Sequence, residues 1–293
     1  MIDLHTHSTA SDGTKTPSEL IRYAVSKGIS VLALTDHDTT AGLEEASREA
    51  GLVREEGTDF TFIPGIELNI QWPTGEFHLL GLGIKSPSAK LKEIEKFLEE
   101  ERLSRNIKMA EKLRAQGAQI TVEEVMQNFN TAMIGRPHFA DCMVKKGIVK
   151  TRQEAFDRYF AKGRPCYTER TGADLEESCI AIRESGGIPV QAHPMSMYIS
   201  WGKMDETIKR IRNCGVQGLE AWHPGVRVAE AERLEKIAGV LGMIVTAGSD
   251  FHGEKVRADR MIGHTAGKRI IEDRFYTENL KPALEQSDFS RFI

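Results

Sequence analysis

The sequence predicts an α/β fold, a parallel sheet or barrel of alternating strands and helices interrupted by a helical insertion. Three observations carry that prediction. Short apolar runs alternate with longer amphipathic segments, the rhythm of βα units. The rhythm stops from about Ser86 to Gly172, where the pattern is almost wholly helical. Nearly every apolar run also ends on histidine, aspartate or glutamate, as expected where a site is assembled at the carboxyl ends of strands.

In chain order, the strands are expected at IDLHTH, ISVLALTDHD, FTFIPGIELN, EFHLLGLGI, GIPVQAHP, VQGLEAWHP and MIVTAGSDFH. Between the first two, TPSELIRYAVSKG carries a full set of helix signals. Thr16 and Glu19 can form a capping box, Pro17 occupies the first turn and Gly28 ends the segment. The inserted helices are SAKLKEIEKFLEEERLSRNIKMAEKLRAQG, TVEEVMQNFN, HFADCMVKKG and TRQEAFDRYFAKG; in the first, Leu91, Ile94, Phe97 and Leu98 form an apolar stripe. The expected organisation is therefore a first barrel segment at 1–85, an inserted helical substrate-binding domain at 86–171, and a second barrel segment at 172–293.

Composition narrows the function. With 293 residues, 40% hydrophobic and 28% charged, the chain can bury a sizeable core. A net charge of −4 argues against a broad nucleic-acid-binding surface while allowing a local basic pocket. Cys142, Cys166, Cys179 and Cys214 are scattered without a C-x-x-C pair and read as reduced thiols. With no basic and apolar leader and no apolar run long enough to span a bilayer, a cytoplasmic protein without membrane contact is expected. No stable protein partner is implied.

The opening MIDLHTHSTASDG places His5 and His7 on one face of a strand, with Asp12 in the following loop. Further strand ends supply His37, Glu67, His78, His193, Glu220 with His223, and Asp250 with His252. A single histidine at a strand end is ordinarily a packing residue. Here the chain has only 9 histidines and most fall at such positions, so a metal site is the better account. Imidazole and carboxylate without thiolate suit manganese, zinc or iron. The number of candidates suffices for two or three divalent ions, an arrangement suited to stabilising both the attacking and the leaving oxygen in phosphoryl transfer.

Together His5-Thr6-His7 with Asp12, Thr35-Asp36-His37-Asp38, Gly65-Ile66-Glu67, Ala192-His193-Pro194 and Gly248-Ser249-Asp250-Phe251-His252 resemble the PHP (polymerase and histidinol phosphatase) family, over roughly residues 1–85 and 172–293. The resemblance implies a distorted (β/α)7, TIM-like barrel with a trinuclear metal site at its mouth. It implies that His5, His7, Glu67 and Asp250 hold one ion, Asp12, His37 and His252 a second, and His78 and His193 a third, with Glu67 bridging. Manganese is the first expectation for the metal, with zinc or iron as alternatives. The implied reaction is in-line attack on phosphorus by a hydroxide bridging the ions. Asp36 and Asp38 are expected to orient imidazoles, Asp36 thereby serving catalysis. Asp12 is expected to meet the substrate as well as its ion.

Within that family the chain looks most like short phosphoesterases with a helical insertion, the 3′,5′-nucleotide bisphosphate phosphatases and 5′–3′ exoribonucleases. Their insertion supplies groups for substrate phosphates. Arg102, Arg105 and Asn106 lie at helical spacing on one face, and Arg136 and His138 flank Pro137 at an expected helix start, which favours anions. These five are the expected phosphate contacts, with Arg164 a weaker candidate. His223 is expected to touch the scissile phosphate or protonate the leaving oxygen, with Glu220 supporting it or lining the barrel. His264, Arg257 and Arg260 read as surface residues. The expected function is a metal-dependent phosphoesterase removing the 3′-phosphate of nucleoside 3′,5′-bisphosphates, or trimming short 5′-phosphorylated RNA. Histidinol phosphate phosphatase is the alternative. An amidohydrolase is less favoured because no strand ends in a metal-bridging lysine, and a non-enzymatic metal-binding domain is the remaining reading.

Overall fold

The structure, a computed structural model, describes residues 1–129, 133–254, 256 and 259–286. It divides into two compact units, Met1–Glu95 with Gly172–Ile293, and Lys96–Thr171. The first contains seven strands: β1 Ile2–Asp3, β2 Val31–Leu34, β3 Thr61–Ile70, β4 Phe77–Leu82, β5 Ile188–Ala192, β6 Gly218–Trp222 and β7 Ile244–Ala247. Each expected strand is found, and they lie side by side in sequence order. Backbone bonds then join the ends of the sheet: Leu4 N donates to Ala247 O at 3.3 Å, Asp250 N to His5 O and His7 N to Phe251 O at 2.9 Å each. The sheet is a nearly closed barrel.

Two features depart from a simple parallel barrel. β4 pairs antiparallel with both β3 and β5, whereas the other strand pairs are parallel. The cause is local: only Gln71–Glu76 separates β3 from β4, enough for a hairpin and too short for a crossover helix. Apart from β3, the strands are also shorter than the segments expected for them. β1 ends at Asp3, so His5 and His7 stand beyond it, carried by the backbone bonds to Asp250 and Phe251.

Packing follows the sequence pattern. Helix Pro17–Ser26 forms with the expected capping box, Thr16 accepting from Glu19 N at 3.2 Å and the Glu19 carboxylate from Thr16 N at 2.8 Å. Its inward face, Leu20, Ile21 and Ala24, packs with Leu32, Leu34, Phe60 and Phe251 in one continuous core. All of β2, β4, β5 and β6 is buried, as strands covered by helices on their outer face require.

The second unit has its own core, built around Leu113, Ile120, Val125, Phe139, Met143 and Phe160. Its helices include the outer part of Ala89–Ala115, then Val122–Phe129, Arg136–Lys145 and Arg152–Ala155. Of the apolar stripe, Leu91 and Leu98 are buried while Phe97 is exposed. The four cysteines are free thiols. Among the described residues no helix is long and apolar enough to cross a membrane.

Candidate metal centre

At one mouth of the barrel the structure brings together the nine expected ligands with Glu67 as their hub. Seven follow the carboxyl ends of parallel strands, and Glu67 lies within β3. His78 stands at the amino end of β4, which reaches the same mouth because it runs antiparallel. Glu67, on β3, is fully buried. Its Oε1 lies 2.9 Å from His78 Nδ1 and 2.9 Å from His193 Nε2. Its Oε2 is buried without a hydrogen bond, yet His37 Nδ1, His7 Nε2 and His5 Nε2 stand 2.8, 3.3 and 3.4 Å away. His5 Nε2 and His7 Nε2 are 3.1 Å apart, and Asp250 Oδ1 lies 3.7 and 3.4 Å from them. Four ligands about 2.1 Å from one ion in tetrahedral array would be about 3.4 Å from each other. The spacing therefore fits a divalent ion.

Among the described residues three ligand groups are geometrically competent: His5, His7 and Glu67; His7, Asp12, His37 and His252; and His37, Glu67 and His78. His7 and His37 each fall in two of them, more sharing than one ion per histidine would need. His7 stacks on His252 with ring centroids 4.0 Å apart, and Asp12 Oδ1 is 3.2 Å from His252 Nε2. The side chains suit cations chemically as well. Burial alone would make the carboxylates harder to ionise, but His37, His5 and His78 hold Glu67 well below the usual carboxylate range. His252 and His37 do the same for Asp12 against the same penalty. Burial, with His252 and His37 close by, pushes the His7 imidazole down to about 3. For His5 burial also opposes the charged ring, and Glu220 and Glu67 outweigh it, lifting its pKa well above the ordinary value.

Hydrogen bonds orient several rings so that Nε2 faces the centre. His5 Nδ1 meets Glu220 Oε1 at 2.9 Å, His252 Nδ1 donates to Asp250 O at 2.8 Å, and His193 Nδ1 meets Ser196 Oγ at 2.9 Å. Glu220 thus serves His5 and also accepts from His193 N at 2.8 Å; its expected support of His223 is replaced by these partners. Asp36 likewise contacts no imidazole. Its carboxylate accepts from Ser8 N at 2.7 Å, Ser8 Oγ at 2.6 Å and Ser11 Oγ at 2.5 Å, anchoring the loop that carries His7 and Asp12. Asp38, at φ 55°, accepts from Asn69 N at 2.8 Å and so shapes the turn.

Two supporting residues lacked a sequence signal. Asp3 is wholly buried and accepts from Ser249 N and Oγ and from Gly263 N at 2.9, 2.5 and 2.8 Å, tying β1 to the Asp250 loop. Burial pushes its carboxyl up to about 6 despite those bonds. Arg260, expected on the surface, instead places Nη1 3.3 and 3.1 Å from the Nδ1 and Nε2 of His223. Nothing in the sequence around Arg260 marks it, because its proximity to His223 depends on barrel closure. His264 is half-buried with Nδ1 on Ile262 O at 2.9 Å, and Arg257 lies outside the described residues.

His223 and Arg260 line a cavity of about 280 Å³ together with His37, His78, His193 and Asp250. Burial lowers the His223 pKa in spite of Asp250, whose Oδ2 is 3.4 Å from Nε2. His223 Nδ1 accepts from Gly225 N at 3.0 Å, which leaves the proton of the neutral ring on Nε2.

Within the inserted unit, Asn106 Nδ2 donates to Ile134 O at 2.9 Å, fixing its helix against the start of Arg136–Lys145. Arg105 and Asn106 are buried, not a solvated charged face, and Arg105 donates to Asn106 Oδ1 at 3.3 Å. A side chain at Gly135 would lie 3.6 Å from Arg105 Nη2, so Arg105 and the Arg136 turn are neighbours. His138 accepts from Gly135 N at 3.1 Å through Nδ1 and so caps the helix start. Arg102 is half-buried and Arg164 exposed.

The PHP domain family matches residues 3–162. A 3′,5′-nucleoside bisphosphate phosphatase of Chromobacterium violaceum is 34% identical over 265 residues, 90% of this chain and 91% of the relative. A 5′-3′ exoribonuclease of Haemophilus influenzae is 30% identical, covering 85% and 89%. A solved Chromobacterium violaceum structure, described as an amidohydrolase with bound sulfate and no metal, matches with a TM-score of 0.82 at 32% identity, over 98% of this chain and 96% of that one. The chain belongs to the PHP family.

Proposed function

We propose that this metal-dependent PHP phosphoesterase removes the 3′-phosphate from nucleoside 3′,5′-bisphosphates. The observation that carries the reading is the pairing of two sets of groups in one chain. A barrel mouth holds nine ligand-type side chains with Glu67 as their hub, and an inserted unit gathers Arg105, Asn106 and Arg136 at one helix start, with Arg102 one turn earlier on the helix of Arg105. The similarity to a bisphosphate phosphatase over 90% of the chain supports the same substrate class. A second reading, stepwise hydrolysis of short 5′-phosphorylated RNA, is favoured by the similarity to an exoribonuclease.

His5, His7, Glu67 and Asp250 would hold one ion, Asp12, His37 and His252 a second with His7 beside them, and His78, His193 and Glu67 a third; manganese is the metal we favour, with zinc or iron as alternatives. When bound, such ions polarise phosphoryl oxygens and acidify water. The chain's own residues supply the rest. Glu220, Ser196 and the Asp250 carbonyl hold His5, His193 and His252 in orientation. Asp36 keeps the Ser8–Ser11 loop closed, so that Asp12 stays over the mouth. Arg260 adds a fixed cation to the cavity, where a phosphoryl group carries charge.

For His223 two roles were open from the sequence, and the geometry favours one. With Nδ1 occupied by the Gly225 N–H and burial keeping the ring neutral, Nε2–H can donate a hydrogen bond to a phosphoryl oxygen. Protonating the leaving oxygen would require a second ring proton on Nδ1, where the Gly225 N–H already points. The arginines of the insertion, together with Asn106, would hold the 5′-phosphate; His138 would act chiefly by capping the helix that presents Arg136.

The test is a comparison of adenosine 3′,5′-bisphosphate, short 5′-phosphorylated RNA, histidinol phosphate and an N-acyl amino acid with the manganese-loaded protein. Rapid release of the 3′-phosphate, and a loss in Arg136→Ala confined to substrates with a second phosphate, is the expected result. Preferred turnover of histidinol phosphate or the amide, or no turnover with metals demonstrably bound, overturns the reading.

A further inference from the structure

Tyr198 stands out in the barrel unit as a large aromatic side chain that packs almost nowhere: it is 81% exposed, yet it lines the rim of the 280 Å³ cavity beside the metal centre. Its backbone is left-handed, φ 52° and ψ 40°, a conformation that suits glycine or asparagine and strains an aromatic residue. The turn that presents it is fastened to the β3–β4 hairpin. Ser196 Oγ donates to Glu76 O at 2.8 Å, Glu76 N to Ser196 O at 2.8 Å, and Thr74 Oγ1 to Met197 O at 2.9 Å. Gly75 packs so closely there that a Cβ would come within 2.2 Å of Ser196 O. The same turn begins at His193, a proposed ligand, so the rigid backbone fixes the ring relative to the centre.

We propose that Tyr198 is a stacking platform for the nucleobase of the substrate. This rests on the nucleotide reading above and extends it to recognition of the base. At about 280 Å³ the cavity is smaller than the roughly 300–1,000 Å³ that enclose whole drug-sized ligands. It therefore accommodates the phosphate and sugar and leaves the base at the mouth, where Tyr198 is exposed. Met195 and Val226 are the other apolar side chains in the lining, beside otherwise polar and charged groups. Stacking on a ring is tolerant of base identity, because every base has a π-face. The platform thus selects nucleotides over other phosphate esters without selecting among bases.

The test measures, by titration calorimetry on manganese-loaded protein, the ratio of affinities for adenosine 5′-monophosphate and ribose 5-phosphate. Tyr198→Ala is expected to lower that ratio by about 5- to 150-fold, the range for removal of one base-stacking ring. Tyr198→Phe and Tyr198→Trp should preserve it. Tyr198→Asn, whose backbone suits the left-handed turn, should lose it as Tyr198→Ala does, which separates loss of the ring from collapse of the turn. An unchanged ratio in both Tyr198→Ala and Tyr198→Asn overturns the proposal, as does a loss in Tyr198→Phe equal to that in Tyr198→Ala. A protein that cleaves bisphosphates with a ratio indifferent to Tyr198 defeats the platform alone. One that cleaves none of them, yet loses the ratio with the ring, defeats the substrate reading and leaves the platform standing.

Discussion

The barrel unit carries cavities at both ends, and they differ in kind. The larger, about 500 Å³, lies at the amino ends of the later strands, where Ile188 and Ile244 open β5 and β7. Arg183, Arg212, Gln217 and Gln286 line it, and Arg183 Nη1 is already bonded to Gly215 O at 3.1 Å. The smaller, about 280 Å³, lies at the carboxyl ends and faces His37, His78, His193, His223 and Asp250. Space therefore does not distinguish a site from a crevice here. What distinguishes the mouth is that buried groups of opposite charge preference converge with lone pairs directed at one another. Such an arrangement costs desolvation free energy in isolation and is relieved by cations. Loops after barrel strands can be reshaped without disturbing the ladder, so chemistry collects at that end while the other serves packing.

The largest expected effect falls on the hub of the mouth. Glu67→Gln should lower turnover of a phosphate ester by about a thousandfold or more, since several kcal/mol of charge stabilisation depend on the ions it would bridge. Elemental analysis of the same protein should find less than the full complement of metal; a variant with full metal and wild-type turnover would remove the distinction between the two ends. Chelation probes the same point through stability. If the ions bind the folded chain alone, removing them from about a thousandfold excess over Kd should cost about 4 kcal/mol, seen as a lower melting temperature restored by added manganese. A melting curve indifferent to chelator would show that the cluster is stable as a hydrogen-bonded network.

Smaller changes sharpen the contrast. Asp36→Ala leaves the Ser8 N–H and two hydroxyls without their acceptor and should destabilise the protein by about 2–3 kcal/mol in urea unfolding. Its effect on manganese affinity should exceed that of any comparable loss at the amino-end cavity. Tyr198→Asn should raise stability by about 1 kcal/mol, because the left-handed backbone is less costly for asparagine, while base recognition falls. A stabilised protein with unchanged nucleotide affinity would leave the strained ring without a purpose. Least of all, Arg212→Ala at the amino-end cavity should shift stability by no more than about 0.5 kcal/mol and leave turnover unaltered. A large loss of activity there would place function at both ends.

Much of this mouth is legible before folding because most of the ligands follow an apolar run. The exceptions are Glu67, inside β3, and His78, expected at a strand end and instead opening the antiparallel β4. His37 follows VLAL, His193 follows IPVQA, and Asp250 and His252 follow IVTA by a few residues. A strand is a local pattern, and the residue at its carboxyl end is placed by that pattern alone. The start of Arg136–Lys145 is readable in the same way from Pro137. The partners of these residues are not. Asp36 is expected beside a ring and holds Ser8 and Ser11 instead, Glu220 turns to His5, and Arg260 leaves its expected surface position for His223.

By itself the sequence determined seven strands, the inserted helices and the chemistry of the ligand set, all encoded in periodicity and in residue types at fixed positions along the chain. Tertiary structure decided the direction of β4, the closure of residues 4–7 onto residues 247–251, and with it the sharing of His7 and His37 between ligand groups. It alone decided that Asp3 ties the two ends of the barrel together and that Tyr198 stands unpacked at the rim. Such contacts join residues as much as 260 positions apart, as Asp3 and Gly263 are, and distances of that kind exist only once the barrel has closed.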